Sequence, residues 1–194
     1  MITFKNVSFS YGEAPLLQNA SLSLPSRGAV CFTAPSGSGK TTLLRLMAGL
    51  EQPQRGTVET GGASIAVLFQ DNRLFPWLTV AENVALACRG KNPAPYLEAV
   101  ELTADKDKYP AQLSGGMQRR AALARALAFE GDVLLLDEPF TGLDSELRER
   151  IAKAITTQFC PKLVVLITHT PEDAVLLSAR VVPLTFPLCG TVEL

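Results

Sequence analysis

A chain of 194 residues, 47% hydrophobic and 19% charged, has the size and composition of one folded domain and excludes disordered and collagen-like classes. Its 18 Lys and Arg residues against 19 Asp and Glu residues give a net charge of -1, which argues against a nucleic-acid partner. The longest apolar runs fall far short of the roughly 20 residues that a membrane-spanning helix needs. The N-terminus also lacks the blocks of a secretory signal. We therefore expect a cytoplasmic protein, with four reduced and mostly buried cysteines.

The first third of the chain is predicted to be rich in β-strands. Apolar and polar residues alternate up to Tyr11, and further short strands are predicted over 21–24 and 29–33. A glycine-rich turn follows at 35–39, and strong helix formers then fill 41–50. The order strand, loop and helix is therefore predicted around this turn.

The middle of the chain is predicted to form a helical lobe. Residues 65–69 are an apolar run suited to a buried strand, and Gln70 stands at its end. No further strand is predicted over 71–130, and Ser114 is a plausible N-cap. The predicted helices span 80–88, 96–102 and 116–129.

Strands and helices alternate again in the last third, which predicts a mainly parallel sheet. The predicted strands span 133–137, 163–168 and 181–184, the last of these being the final strand, and a helix is predicted over 145–159. Another helix is predicted to begin with a capping hydroxyl at Thr170, proline at position 171 and a carboxylate at Asp173. Too little chain follows Val182 for us to expect a regulatory C-terminal domain.

The glycine-rich turn carries the first chemical motif, Ala34-Pro35-Ser36-Gly37-Ser38-Gly39-Lys40-Thr41. Glycines let backbone N–H groups turn toward phosphate oxygens, and the following helix adds its positive N-terminal dipole. Lys40 adds a charge and the Thr41 hydroxyl can bind Mg²⁺, so a nucleoside triphosphate is the expected ligand. A surface glycine turn could carry the same short motif, so other motifs must decide.

Two carboxylates end the predicted strand 133–137. Asp137 and Glu138 are costly to place after a buried apolar run unless a metal ion or a reaction uses them. Asp137 is suited to a supporting role near Mg²⁺, in which it does not coordinate the ion directly. The role of a base suits Glu138.

The segment Leu113-Ser114-Gly115-Gly116-Met117-Gln118 resembles the signature motif of ATP-binding cassette proteins. The resemblance covers almost the whole chain and keeps the family order. Tyr11 resembles the adenine-stacking aromatic, Gln70 the Q-loop glutamine, Leu143-Asp144 the D-loop and His169 the switch histidine. Taken singly, these residues have ordinary interpretations, such as a helix cap, the end of a strand or a solvated histidine. Ala34 departs from the usual first glycine of the phosphate loop.

The resemblance implies an α/β fold of the P-loop NTPase (RecA-like) type with a mainly parallel sheet and an N-terminal antiparallel part. It implies a single domain, with a nucleotide-binding core at 1–70 and 131–194 and a helical signature subdomain at 71–130. The implied catalytic residues are Glu138, His169 and Gln70. The implied Mg²⁺ site consists of Thr41, Gln70 and Asp137. The implied ATP contacts are Tyr11, Ser36, Gly37, Ser38, Gly39, Lys40, Thr41, Thr42, Ser114, Gly115, Gly116 and Asp144.

The family resemblance also implies partners. Two cassettes would close head to tail, so that Ser114 to Gly116 of one subunit meet the γ-phosphate bound by Lys40 of the other. Transmembrane permease subunits, with a solute-binding protein in some systems, would hold the chain at the inner face of the cell membrane. Phe75 and Trp77 suit a surface that docks a permease, although packing inside the lobe suits them equally well.

Two alternatives to a transporter subunit follow from the sequence. A soluble cassette ATPase of translation or DNA repair would use the same site, but the chain shows no tandem cassette, coiled coil or zinc module. A catalytically weak structural subunit is suggested by Ala34 and the short lobe. The run 70–79 is most similar to import cassettes for nitrate, sulfonate and taurine, and it does not identify a substrate.

Overall fold

The computed structural model describes residues 2–35 and 37–192, which form two sheets and the helices that cover them. The strands are β1 (Thr3–Ser10), β2 (Pro15–Ser23), β3 (Gly28–Thr33), β4 (Arg55–Glu59), β5 (Ile65–Leu68), β6 (Val133–Asp137), β7 (Leu163–Ile167), β8 (Arg180–Pro183) and β9 (Leu188–Val192). The α-helices are α1 (Lys40–Met47), α2 (Val80–Ala85), α3 (Ala94–Ala99), α4 (Gly115–Ala128), α5 (Ser145–Ala154) and α6 (Pro171–Leu176).

The larger sheet has five strands in the order β5-β6-β7-β3-β8, and every neighbouring pair is parallel. All residues of β6 and β7 are buried, as expected for central strands covered on both faces. The predicted mainly parallel sheet is therefore confirmed. Because the strands are parallel, the carboxyl ends of β3, β5, β6 and β7 meet at one edge.

The smaller sheet has the order β4-β1-β2-β9, in which β1 pairs antiparallel with β2 and β4. The predicted N-terminal antiparallel part is thus present. The prediction that 181–184 is the last strand is wrong, because β9 follows and pairs parallel with β2. Neither β4 nor β9 was predicted. Both are edge strands with mostly exposed residues, so their sequences lack a clear apolar alternation.

The segment between Asp71 and Glu130 contains helices and no strand, as predicted. Ser114 is the N-cap of α4, and its hydroxyl accepts a hydrogen bond from the Met117 N–H at 3.3 Å. The small and apolar side chains of α4, such as Ala121 and Leu123, belong to the same buried cluster as one face of the parallel sheet. The middle of α4 therefore packs against the strands.

Two further local predictions need correction. The helix predicted over 145–159 ends as an α-helix at Ala154 and continues as a π-helical turn at Ile155–Phe159. The Thr170 hydroxyl does not cap α6; the Asp173 N–H in the first turn donates to the Thr170 carbonyl instead, at 3.1 Å.

The four cysteines differ in burial. Cys31 and Cys88 are buried, but Cys160 and Cys189 are exposed, so the expectation of mostly buried cysteines holds for half of them. Within residues 2–35 and 37–192, the helices are too short or too polar to cross a bilayer.

Candidate functional site

The phosphate loop connects β3 to α1 and depends on glycine at two described positions. Gly37 and Gly39 have φ angles of 73° and 108°, which other residues rarely adopt. A Cβ atom on Gly39 would also lie 2.1 Å from Leu16 Cδ1. Both the loop conformation and its close contact with β2 therefore require glycine at position 39.

Polar groups of this loop are arranged as a phosphate site requires. Lys40 Nζ donates to the carbonyls of Ala34 and Pro35, each at 2.7 Å, so the ammonium folds back across the loop. The Ser38 hydroxyl is buried without a hydrogen-bond partner within the described part of the chain. A buried hydroxyl without a partner and a nearby ammonium fit an anionic ligand. Thr42 is buried in α1, and Ser36 lies outside the described residues.

Thr41 and Asp137 meet at the carboxyl end of β6. Thr41 Oγ1 donates to Asp137 Oδ2 at 2.6 Å, and the Asp137 side chain is buried. Burial raises the pKa of Asp137, while the Thr41 hydrogen bond opposes this increase. A hydroxyl and a carboxylate side by side are oxygen ligands of the kind that Mg²⁺ takes, so these residues fit the ion. The exposed Gln70 lines the same cavity.

Glu138 follows Asp137 directly and contacts His169. Glu138 Oε1 lies 2.8 Å from His169 Nδ1, and hydrogen bonding to this carboxylate raises the pKa of His169. Glu138 has a φ of 52°, an uncommon conformation for a residue with a side chain. Its N–H donates to the Ile167 carbonyl at 2.8 Å, which joins the ends of β6 and β7. At Glu138 this conformation coincides with the candidate catalytic position, where the surrounding hydrogen bonds hold it.

Most of the predicted phosphate, metal and catalytic residues line two adjoining cavities. The first, of about 250 Å³, is bordered by Gly37, Gly39, Lys40, Thr41, Gln70, Asp137 and Glu138. The second is bordered by Gln70, Asn72, Gly115, Gly116, Arg119, Glu138, Thr141, Gly142 and His169. Gln70 and Glu138 border both cavities. One chain therefore brings most of the predicted site residues to one edge of the parallel sheet.

Besides Ser38 and Thr42, which adjoin the phosphate loop residues, three predicted site residues among those described do not line these cavities. Tyr11 is 57% exposed, and its hydroxyl donates to Glu51 Oε1 at 2.9 Å. Ser114 is exposed at the start of α4. Asp144 caps α5, where its carboxylate accepts from the Leu147 N–H at 2.9 Å, a bond that lowers the pKa of Asp144. Tyr11, Ser114 and Asp144 all face solvent and lie outside the two cavities.

Sequence reasoning missed one buried residue in this region. Arg119 in α4 lines the second cavity and donates to backbone carbonyls at the ends of β5 and β6. The sequence feature that could have indicated Arg119 is an arginine on a helix face whose other residues are small and apolar. Its partners are backbone groups, however, and no sequence pattern indicates them.

The aromatic residues after Gln70 are exposed, so packing inside the lobe is the wrong alternative for them. Trp77 is 69% exposed, and its ring lies 5.5 Å from that of Phe75. Phe75 also borders a cavity together with Arg73 and Arg125. This aromatic surface, Phe75 and Trp77, stands on the outside of the molecule next to a basic and apolar cavity.

Comparisons with known proteins agree on one family. A family model described as ABC transporter matches residues 17–141. An aliphatic sulfonates import ATP-binding protein of Rhodococcus jostii is 40% identical, over 92% of this chain and 77% of its own length. A sulfate/thiosulfate import ATP-binding protein of Rhizobium meliloti is 37% identical, over 93% of this chain but 56% of its own length.

Solved structures give the same result. The bacterial ABC transporter cassette MJ0796, in its dimeric structure, is 31% identical, with a TM-score of 0.83 over 100% of this chain and 97% of its own. The same cassette has also been solved as a dimer in a post-hydrolysis state with bound ADP and Pi, with a TM-score of 0.82.

Proposed function

The chain belongs to the ABC transporter family, and we propose that it is the ATP-hydrolysing subunit of a transporter that imports a small solute. The observation that carries this proposal is the single cavity that Lys40, Thr41, Asp137 and Glu138 share. Phosphate-binding, metal-binding and base groups meet there at the carboxyl edge of a parallel sheet, where such folds place their ligands. The import direction is supported by the names of the two import relatives.

In the proposed reaction the chain mainly positions groups and neutralises charge. The loop amides and Lys40 hold the phosphates of ATP, because donors already aimed at the developing charge need no rearrangement. Mg²⁺ would be held by Thr41, Gln70 and Asp137. It would supply further positive charge at the phosphate oxygens. Glu138 orients and deprotonates the attacking water, and His169, which pairs with Glu138, contacts the γ-phosphate.

We propose that two copies complete the site. Ser114 and Asp144 are exposed in one chain and are therefore free to contact a nucleotide held by a partner chain, while the exposed Tyr11 keeps its proposed role as the aromatic that stacks on adenine. In a head-to-tail dimer, Ser114 to Gly116 of one copy would contact the γ-phosphate bound by Lys40 of the other. The dimeric structures of the similar cassette support this arrangement. Nucleotide bound between the copies would then favour the closed dimer, and hydrolysis would release it.

We also propose a transmembrane permease as partner, which would hold the chain at the inner face of the cell membrane. The aromatic surface supports docking, because Trp and Phe beside Arg are typical of interface centres. A solute-binding protein would be a further component of such an importer. The two relatives name different solutes, so we assign none to this chain.

The ATPase activity is tested with the full chain and the substitution Glu138→Gln. The variant should bind ATP, form a dimer that persists, and hydrolyse ATP at least about 100-fold more slowly than the wild type, because the base is lost. Glu149→Gln, at an exposed position of α5, is the control and should leave turnover unchanged. Normal turnover by Glu138→Gln would remove Glu138 from the role of base.

The transporter role needs a separate experiment. The tagged chain is purified from gently solubilised native membranes, and its partners are identified by mass spectrometry. Recovery of a polytopic permease supports the proposal, and its loss with Phe75→Ala/Trp77→Ala would assign docking to the aromatic surface. Tyr109→Ala, another exposed aromatic, is the control. Recovery of soluble partners alone would favour a cassette ATPase that does not take part in transport.

A further inference from the structure

Arg119 is the most extensively bonded buried cation of the site. It lies in α4, and only 6% of the residue is exposed. One terminal nitrogen, Nη1, donates to the Gln70 carbonyl at 3.1 Å and also contacts the Phe69 carbonyl. The other, Nη2, donates to the Glu138 carbonyl at 2.9 Å and contacts the Asp137 carbonyl. The two nitrogens therefore donate hydrogen bonds to backbone carbonyls at the ends of two different strands, β5 and β6.

These partners explain how a buried charge is tolerated. A buried cation is costly unless hydrogen bonds replace its hydration, and burial lowers the pKa of Arg119. The N–H donors of the planar guanidinium have a fixed, forked geometry. One guanidinium can therefore donate to carbonyls in two directions at once. A lysine ammonium has three donors at one point and cannot span the same separation. The arrangement thus depends on the shape of arginine as well as its charge.

The strand ends that Arg119 joins carry proposed catalytic groups. β5 and β6 are neighbours, with Leu68 opposite Leu136, so Gln70 and Glu138 follow adjacent strand ends. Glu138 has a φ of 52°, and its two backbone groups are held by Ile167 on one side and Arg119 on the other. Loss of the Arg119 bond would leave the Glu138 carbonyl with only the longer bond from the Thr141 N–H, at 3.4 Å, to support this uncommon conformation. The Glu138 carboxylate would then be less well positioned.

Arg119 also connects both strand ends to α4. That helix begins at Gly115 and is capped by Ser114, so Arg119 lies near its start. A movement of the α4 N-terminus would therefore be transmitted by a single side chain to Gln70 and Glu138. No other charged side chain among the described residues donates to both strand ends.

We propose that Arg119 is a positioning residue for ATP hydrolysis, which holds the Gln70 and Glu138 backbones together and ties both to α4. The inference rests on the proposed ATPase function of the same site. Arg119 acts through Glu138 and does not need to contact ATP. Its loss should therefore lower kcat and leave ATP affinity unchanged.

The test compares Arg119→Met, Arg119→Lys and Arg120→Met in the full chain. Arg120 is a matched control, because its Nη1 also donates to two carbonyls, those of Val100 and Glu101, but away from the cavities. Each variant is assayed for kcat, KM and Tm, and for the dissociation constant of a fluorescent ATP analogue. Emission of Trp77, the single tryptophan, reports whether ATP binding still affects the segment after Gln70.

Arg119→Met should lower kcat about 100-fold with KM within about threefold of the wild type, since misplacement of a catalytic group by about 1 Å has effects of that size. Arg119→Lys should restore folding but not full kcat, and Trp77 should no longer respond to bound ATP in either variant. Arg120→Met should retain the wild-type kcat. If Arg119→Met does not fold, the kcat and KM of Arg119→Lys test the inference.

Wild-type kcat in a folded Arg119→Lys or Arg119→Met chain would overturn the inference. So would a loss of ATP affinity that matches the loss of kcat, because it would assign Arg119 to the shape of the binding cavity. An inactive wild type with a normal fold would instead count against the proposed function, and the Arg119 variants would add nothing to that result.

Discussion

Glu138 and His169 form a pair across the ends of β6 and β7, with 2.8 Å between Glu138 Oε1 and His169 Nδ1. The carboxylate is mostly buried, whereas the histidine ring is 72% exposed. The hydrogen bond to Glu138 and its negative charge raise the pKa of His169 from its ordinary 6.5. The charged form of His169 is thereby stabilised next to the proposed reaction centre.

Glu138→Gln should lower the pKa of His169 toward its ordinary value, because glutamine removes the negative charge. His169 is the only histidine, so its ring protons are resolved directly by NMR titration of the chain without nucleotide. Stability due to this pair is present below pH 6.5 and is lost as the pH rises through the raised pKa of the folded state. An unchanged His169 pKa in Glu138→Gln would contradict the pairing.

Lys40→Ala should weaken ATP binding by about tenfold or more, because a charge-assisted bond to phosphate is lost. In the structure the ammonium is already held across the loop by the carbonyls of Ala34 and Pro35. Titration with a fluorescent ATP analogue measures the effect. Lys108→Ala, which removes an exposed ion pair with Asp105, is the control. Equal affinities of Lys40→Ala and the wild type would exclude Lys40 from the phosphate site.

Gly39→Ala should lower the free energy of unfolding by about 1–3 kcal/mol, through backbone strain and crowding. The new Cβ atom would meet Leu16, at a φ of 108°. Leu16→Ala in the same chain should relieve the crowding but not the strain, so the double variant should recover part of the loss. Gly37→Ala, where φ is also positive but no atom of the described residues beyond the chain neighbours lies within 4 Å, is the control for strain alone. Urea unfolding distinguishes these contributions, and a loss with Gly37→Ala as large as that with Gly39→Ala would rule out the Leu16 contact.

Arg148→Met should destabilise the fold by about 1–3 kcal/mol, because it leaves the Asp173 carboxylate buried without its cation. Asp173 is 3% exposed; its Oδ1 lies 3.3 Å from Arg148 Nη1, and its Oδ2 accepts from the Thr168 hydroxyl at 2.7 Å. The matched control is Arg150→Met, which removes an exposed ion pair with Glu101 and should have little effect.

The effect of Arg148→Met should depend on pH. Burial raises the pKa of Asp173 while Arg148 opposes this, so the variant raises that pKa further. A group with a raised folded-state pKa favours folding at low pH and loses this contribution as the pH rises through that pKa. The deficit should therefore shrink between pH 7 and pH 4. A deficit independent of pH would mean that the Asp173 charge is not its cause.

Local sequence patterns account for much of the fold and the candidate site. The apolar runs at 133–137 and 163–168 predict central strands because both faces of such strands are buried. The glycines and the lysine of the phosphate loop are adjacent in sequence, so their chemistry is evident without the fold. The hydroxyl cap predicted at Thr170 failed because the Asp173 N–H, from which such a cap would accept, donates to the Thr170 carbonyl at 3.1 Å.

The sequence by itself thus determined the parallel sheet, the phosphate loop and the two carboxylates, because each depends on neighbouring residues. Only the tertiary structure decided that β9 pairs with β2, that Trp77 is exposed, and that Arg119 joins the ends of β5 and β6. These features depend on contacts between distant segments and on backbone groups, which every residue carries alike. No residue pattern can therefore indicate them.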